Sequence, residues 1–219
     1  MIDTTSYLNL KNSLGKASLI AVSKTKSVES IMELYVAGQR DFGENYVQEL
    51  TDKYNTLPKD INWHFIGHLQ SNKVKYIAPF VHLIHSVDSF KLLQEINKQG
   101  KKNNLVVNCL LQIYIAQEET KFGLDETELD NIFGSSELKS LTNIKICGFM
   151  GMASFTDDQE KVRNEFRYLK TLFNSYKHLS TTNCEVKILS MGMSADYAIA
   201  VEEGSNMVRI GSLLFGSRS

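Results

Sequence analysis

The chain has 219 residues, of which 42% are apolar, and its formal net charge is −1 with an isoelectric point of about 6.5. This composition is enough for a globular core of substantial size, and the nearly balanced charge gives no reason to expect nucleic acid or an anionic membrane as the main partner. The apolar runs are far shorter than a membrane span, the first residues lack the pattern of a signal peptide, and three widely spaced cysteines are typical of free thiols, so we expect a cytoplasmic protein.

Short apolar runs alternate with segments of helical spacing along the whole sequence. After a helix at about residues 5–14, the runs predict strands at 18–23, 40–43, 62–66, 82–86, 105–114, 144–150, 185–189 and 207–210. Helical spacing predicts helices at 27–38, 44–55, 70–78, 89–100, 125–133, 158–177 and 195–203. Gly38 and Gly204 suit the ends of two of these helices, and Ser194 suits the N-cap of the last one.

Eight strands separated by helices predict an α/β fold, a single-domain (β/α)8 TIM barrel that covers residues 1–219 and has an extra N-terminal helix. The strands are continuously apolar, as expected where helices cover a sheet. A doubly wound open sheet is the alternative fold. The fingerprint GxGxxG is absent, so nicotinamide binding gains no support.

Two cations stand in apolar runs near opposite ends of the chain. Lys24 ends the first predicted strand, where a cation is costly to bury unless it is paired or chemically used, and it is a candidate Schiff-base former. Arg209 lies within the last predicted strand and is expected to point into the barrel mouth. Because arginine keeps its proton, it needs acceptors there, either a carboxylate in a structural ion pair or a ring nitrogen or phosphate of a ligand.

The loops after the seventh and eighth strands are the usual phosphate site of such barrels. Here they contain Ser194 and the pair Gly211–Ser212. Glycine lets backbone N–H groups approach an anion, and each serine offers a hydroxyl; ordinary caps and turns are the alternative. A lysine together with a phosphate site implies a ligand that has both an aldehyde and a phosphate. Pyridoxal phosphate fits this description, and so does a phosphorylated sugar bound by a Schiff-base aldolase.

Seven segments of the sequence resemble successive motifs of the pyridoxal phosphate homeostasis proteins, a family similar to the N-terminal barrel of alanine racemase. The segments are 21–26, 42–49, 63–73, 85–89, 148–152, 190–194 and 208–211, in the same order and over nearly the whole chain. The resemblance implies a pyridoxal phosphate-binding protein of vitamin B6 homeostasis that holds the cofactor for storage or delivery without substantial catalysis. It also implies a single barrel domain, and apo-enzymes that depend on pyridoxal phosphate are expected recipients; we expect a monomer.

The resemblance assigns roles to five residues of this chain. Lys24 matches the family's imine lysine, and Arg209 matches the arginine that faces the pyridine nitrogen. The residues that match the phosphate site are Ser194, Gly211 and Ser212.

Other polar residues have weaker signals. Asn45 follows the second strand and is either a cofactor contact or an amide that caps its loop. His64 and His68 are four residues apart with no third ligand in view, so no metal is expected, and His85 is either a polar core residue or part of the mouth. A basic rim that attracts an anionic cofactor has four candidate lysines, Lys26, Lys73, Lys75 and Lys121, with Lys26 and Lys121 first, although exposed lysines usually have no such role.

An amino-acid racemase that uses pyridoxal phosphate is the alternative function. A permanent donor such as Arg209 keeps a facing pyridine nitrogen unprotonated, and the ring is then a poor electron sink. Racemisation also needs an acid–base group opposite Lys24. The sequence ends soon after the last predicted strand, so we expect no second domain to supply that group.

Overall fold

The computed structural model describes residues 3–116 and 123–216, and within them strands and helices alternate as the sequence predicts. The strands are β1 (Ser18–Val22), β2 (Asp41–Glu44), β3 (Asn62–Phe65), β4 (Leu83–Val87), β5 (Val107–Gln112), β6 (Ile144–Met150), β7 (Ser180–Thr181), β8 (Cys184–Ser190) and β9 (Met207–Ile210). The helices are α1 (Thr4–Ser13), α2 (Val28–Val36), α3 (Val47–Thr56), α4 (Val74–Ile77), α5 (Phe90–Lys102), α6 (Glu126–Gly134), α7 (Gln159–Tyr176), α8 (Tyr197–Glu202) and α9 (Ser212–Phe215).

Eight of these strands form a closed parallel barrel. Neighbouring strands pair in the order β6-β5-β4-β3-β2-β1-β9-β8, and a further pairing of β6 with β8 closes the sheet. The short strand β7 lies outside the barrel and pairs antiparallel with β8. The predicted (β/α)8 barrel with an extra N-terminal helix is therefore confirmed, and the open sheet is excluded. That one domain takes in all of residues 1–219 stays a prediction, since residues 1–2, 117–122 and 217–219 lie outside the described part.

Three local expectations differ from the structure. The fifth strand is shorter than predicted, because Leu105 and Val106 are exposed and precede β5. The predicted helix at 70–78 is a 3-10 turn (Ser71–Lys73) followed by the single turn of α4. Strand β7 was not expected, because two exposed polar residues carry no periodicity.

The barrel separates two apolar regions. A large core lies between the strands and the surrounding helices, and a small cluster fills the barrel interior with Ile20, Leu83, Leu110, Met150 and Met207. Alternation along a strand sends successive side chains to these two regions. No helix in the described ranges is both long and apolar enough to cross a bilayer.

A glycine permits the bend of β6 that closes the barrel. Gly148 has φ +150°, and the pairing registers of β6 with β5 and with β8 both shift close to it. A Cβ at this position lies 1.9 Å from the carbonyl oxygen of Ile188, so the two backbones approach more closely than any other residue allows.

Candidate functional site

A cavity of about 430 Å³ opens at the carboxyl ends of β1, β2 and β9 and beside the loop after β8. Its volume lies in the range of small-molecule sites, roughly 300–1,000 Å³. All six residues that the sequence singles out for cofactor binding line it: Lys24, Asn45, Ser194, Arg209, Gly211 and Ser212. The structure therefore brings them together, although they come from both ends of the chain.

Lys24 lies in a strained turn just after β1. The next residue, Thr25, has φ +63°, in the left-handed region that costs a non-glycine residue roughly 1–2 kcal/mol. Its backbone N–H donates to the Glu49 carboxylate at 2.6 Å, and this charge-assisted bond holds the turn. The half-buried Lys24 is thereby displayed at the cavity wall.

A buried ion-pair cluster anchors the same turn to helix α3. Lys53 Nζ donates to the Ser23 carbonyl at 2.7 Å and to carboxylates of Glu44 at 2.8 Å and Glu49 at 2.7 Å. The Ser23 hydroxyl donates to Glu44 at 2.6 Å. Burial raises the pKa of Glu44, and the neighbouring Lys53 acts in the opposite direction. The residues on both sides of Lys24 are thus bonded into one cluster.

Sequence reasoning missed this cluster, which consists of Ser23, Glu44, Glu49 and Lys53. One signal was available, since Glu49 and Lys53 are four residues apart on one helix and therefore face the same side. That spacing usually marks a weak surface pair. Here Lys53 is only 6% exposed and Glu44 is fully buried, which no local pattern indicates.

Asn45 follows β2, and its side-chain oxygen lacks a hydrogen-bond donor among the described residues. This buried Oδ1 therefore does not cap the loop. The loop after β3 passes very close by, because a Cβ at Gly67 lies 2.2 Å from the Asn45 carbonyl oxygen. An unsatisfied acceptor in a cavity wall is costly unless a ligand donates to it.

Arg209 points into the barrel interior and reaches the cavity, as expected from its place in β9. It is only 4% exposed. Nη1 donates to the carbonyl of Ser190 at 2.8 Å and to its hydroxyl at 2.7 Å, and Nη2 donates to the Gly151 carbonyl at 3.0 Å. These acceptors are neutral, so the structural ion pair considered from the sequence is not the arrangement found. Burial lowers the pKa of Arg209 to about 10, which leaves it protonated at neutral pH.

Ser194 does not cap α8, so that expectation was wrong. Helix α8 begins only at Tyr197, and its N-cap Asp196 instead accepts from the Met193 N–H at 2.5 Å. The Ser194 hydroxyl accepts from the N–H of Gly211 at 3.3 Å and so joins the loop after β8 to the turn after β9. The two loops therefore present hydroxyl and backbone N–H groups side by side at the cavity wall.

The turn after β9, which is the other half of this loop pair, has little free space. A Cβ at Gly211 lies 3.2 Å from the Val22 carbonyl oxygen, so the turn after β9 packs tightly on β1. Ser212 is exposed and begins α9. Asp196 also lines the cavity, which is therefore not uniformly basic.

The structure does not bring His64 and His68 together, although they are four residues apart in the sequence. His68 lies on the surface with its Nδ1 3.3 Å from Asp88, away from His64. His64 and His85 are buried together in the barrel interior, 2.9 Å apart between ring nitrogens. Ligand atoms of Asp41, His64 and His82 lie within 4.8 Å of one another outside the cavity, and the absence of a metal stays a prediction.

Among its described members, the expected basic rim is found only at Lys26, because Lys73 and Lys75 do not line the cavity. Lys26 lines the cavity, and its Nζ donates to the Phe215 carbonyl at 3.2 Å. Lys121 lies outside the described residues.

The comparisons with known proteins agree on one family for this chain. A family model described as alanine racemase, N-terminal domain, matches residues 5–219. The pyridoxal phosphate homeostasis protein of Aquifex aeolicus is 43% identical over 203 residues, which are 92% of this chain and 87% of that protein. The resemblance seen in the sequence is confirmed.

Solved structures extend the comparison to the fold. PipY of Synechococcus elongatus, with pyridoxal phosphate bound, has a TM-score of 0.87 and 32% identity, over 97% of this chain and 99% of PipY. An alanine racemase of Clostridium difficile has a TM-score of 0.76 and 18% identity, over 98% of this chain and 55% of the racemase. At that identity the racemase shares the fold alone.

The buried cluster around Lys53 predicts a large loss of stability when its cation is removed. Lys53→Met leaves the fully buried Glu44 carboxylate without its cation, and we expect the free energy of unfolding to fall by about 3–5 kcal/mol. Lys98→Met is the matched control, because Lys98 is 74% exposed and pairs with Glu95 at 3.5 Å, a contact worth at most about 1 kcal/mol. Urea denaturation followed by circular dichroism measures both, and equal losses would contradict the role given to the cluster.

Proposed function

We propose that this chain, which belongs to the pyridoxal phosphate homeostasis proteins within the alanine racemase N-terminal domain family, binds pyridoxal phosphate reversibly and holds it for storage or delivery. The observation that carries the proposal is the single cavity in which Lys24 and Arg209 face the Ser194–Gly211 loop pair. The bound cofactor in PipY supports it. The delivery to apo-enzymes, a monomeric state and a cytoplasmic location are parts of the same proposal.

The residues of the cavity fit the polar parts of this cofactor. Pyridoxal phosphate carries an aldehyde that condenses with an amine, a pyridine ring with a ring nitrogen and a hydroxyl group, and a phosphate anion. Lys24 would hold the aldehyde, whose carbonyl group condenses with an amine and releases water. Arg209 would offer a donor to the ring nitrogen, and the Oδ1 of Asn45, which has no partner among the described residues, would accept a hydrogen bond from the cofactor's hydroxyl.

The phosphate is assigned to the two joined loops. Backbone N–H groups around Gly211 and the hydroxyls of Ser194 and Ser212 are the donors available to it. Helices α8 and α9 have only six and four residues, so the loop groups themselves, rather than a long helix dipole, carry the binding.

Lys24 is expected to be the only lysine that attaches the cofactor. The purified protein should show the visible absorption of a lysine imine, and Lys24→Ala should abolish it. Lys26→Ala is the matched control: Lys26 lines the same cavity, but its amine is bonded to the Phe215 carbonyl, so the absorption should persist. Borohydride reduction followed by peptide mapping identifies the modified residue, and a main label on any other lysine would refute the assignment.

The loop pair predicts a strong preference for the phosphorylated cofactor. Charge-assisted hydrogen bonds contribute roughly 1.5–3 kcal/mol each, so two of them should make pyridoxal phosphate bind at least ~100-fold more tightly than pyridoxal. Gly211→Ala should reduce this ratio more than Ser212→Ala, because the new Cβ presses on Val22 whereas Ser212 is exposed. Fluorescence titration gives the ratios. Similar affinities of the unaltered chain for both ligands would remove the phosphate from these loops.

The proposed role includes little or no racemisation. Arg209 remains protonated at neutral pH, so a ring nitrogen that faces it stays an acceptor without a proton, and the ring then stabilises a carbanion poorly. We expect turnover far below the roughly 1 s⁻¹ at the lower end of typical enzymes when the cofactor-loaded protein is incubated with L-alanine. Chiral chromatography measures the D-isomer. Turnover near 1 s⁻¹ that disappears in Lys24→Ala would favour the racemase instead.

A further inference from the structure

A line of polar side chains runs through the barrel interior beside the apolar cluster there and ends on Arg209. Arg209 Nη1 lies 2.7 Å from Ser190 Oγ, which lies 3.2 Å from His85 Nδ1. His85 Nε2 lies 2.9 Å from His64 Nδ1, and His64 Nε2 lies 3.1 Å from Asp41 Oδ1. We call these five residues the polar chain. Its three middle members are at most 1% exposed.

The two ends of the polar chain favour one direction for the hydrogen bonds in it. Arginine only donates, and a carboxylate only accepts. Because Ser190 Oγ accepts from Arg209, its single proton is available to His85 Nδ1. His85 then carries its proton on Nε2 and donates to His64 Nδ1. His64 likewise carries its proton on Nε2 and donates to Asp41.

Two other protonation patterns are less consistent with the surroundings. The reverse direction places the unprotonated Nε2 of His64 against the Asp41 carboxylate, which is repulsive. A doubly protonated His64 could donate to both neighbours, but burial lowers its pKa, with His82 acting in the same sense and Asp41 opposing. Burial, His64, Arg209 and His82 together hold the pKa of His85 well below its ordinary value. Both histidines are therefore neutral at pH 7.

We infer that Asp41, His64, His85 and Ser190 are positioning residues for the cofactor ring, because the polar chain keeps Ser190 Oγ turned as an acceptor toward Arg209. Two contacts to Ser190 and one to Gly151 take up three of the five guanidinium N–H groups. The guanidinium is fixed by these bonds while it lines the cavity. The ring nitrogen of the proposed cofactor then meets a donor whose orientation depends on a carboxylate at the amino end of β2. The part concerning the ring rests on the proposed function.

The direction of the polar chain can be measured without any cofactor. Long-range ¹H–¹⁵N spectra of the histidine-labelled, cofactor-free protein at pH 7.5 distinguish the two neutral tautomers and the cation. His64 and His85 should both carry a single proton on Nε2, with signals assigned through His64→Gln and His85→Gln. An Nδ1–H tautomer or a cation at either residue would overturn the inference. This measurement stands whether or not the proposed function holds, and it needs no folded variant of Asp41.

The effect on the ring is measured by comparing pyridoxal phosphate with its 1-deaza analogue, in which a C–H replaces the ring nitrogen. The unaltered chain should prefer pyridoxal phosphate by at least ~10-fold. In Asp41→Ala this ratio should fall toward one, whereas a merely structural loss would weaken both ligands equally and leave the ratio unchanged. Asp41→Asn keeps an acceptor oxygen and should retain most of the preference.

The matched control is Asp60→Ala, since Asp60 is an exposed carboxylate that contacts Tyr35 and Arg40 rather than the polar chain. It should leave the ratio unaltered. An unchanged ratio in Asp41→Ala would refute the positioning role. Failure of the unaltered chain to bind pyridoxal phosphate at all would instead refute the proposed function, and the tautomers would still report on the polar chain.

Discussion

The pairing of β1 with β9 is the constraint on which the rest of the molecule depends. It places the first and last barrel strands side by side, and together with the pairing of β6 with β8 it makes the sheet a continuous ring. In that pairing Ile20 is opposite Arg209 and Ala21 is opposite Ile210. Lys24 and Arg209 thereby reach one cavity from opposite ends of the chain. Parallel barrels place such residues at the carboxyl ends of their strands, where loops vary without disturbing the core.

The cations around the cavity are held in three different ways. Lys53 Nζ bonds to two carboxylates and to the Ser23 carbonyl. These bonds hold the turn that contains Lys24 against helix α3. Arg209 is bonded to neutral oxygens through three of its five N–H groups. Lys24 stands at the end of a strand, in a turn whose left-handed Thr25 is maintained by Glu49. The bonds made by Lys53, Glu44 and Glu49 thus fix the backbone on both sides of Lys24.

The barrel interior combines apolar packing with one polar line. Most of the interior is filled by Ile20, Leu83, Leu110, Met150 and Met207, and a polar group there is stable only when its donors and acceptors are paired. The histidines satisfy this condition because each ring presents two nitrogens on opposite edges and can pass a hydrogen bond from one strand to the next. Arg209 can therefore be buried beside the cavity without a carboxylate in direct contact.

The sequence by itself determined the fold and predicted six of the residues that line the cavity. Strand and helix periods are local, strand ends mark where Lys24, Asn45 and Gly211 must lie, and the geometry of a parallel barrel brings such ends together. Only the tertiary structure decided which polar groups pair. Ser194 bonds to Gly211 rather than capping a helix, Lys53 is buried against Glu44, and His64 meets His85 rather than acting with His68. These partners depend on strand register and on barrel closure, so no local pattern of residues specifies them.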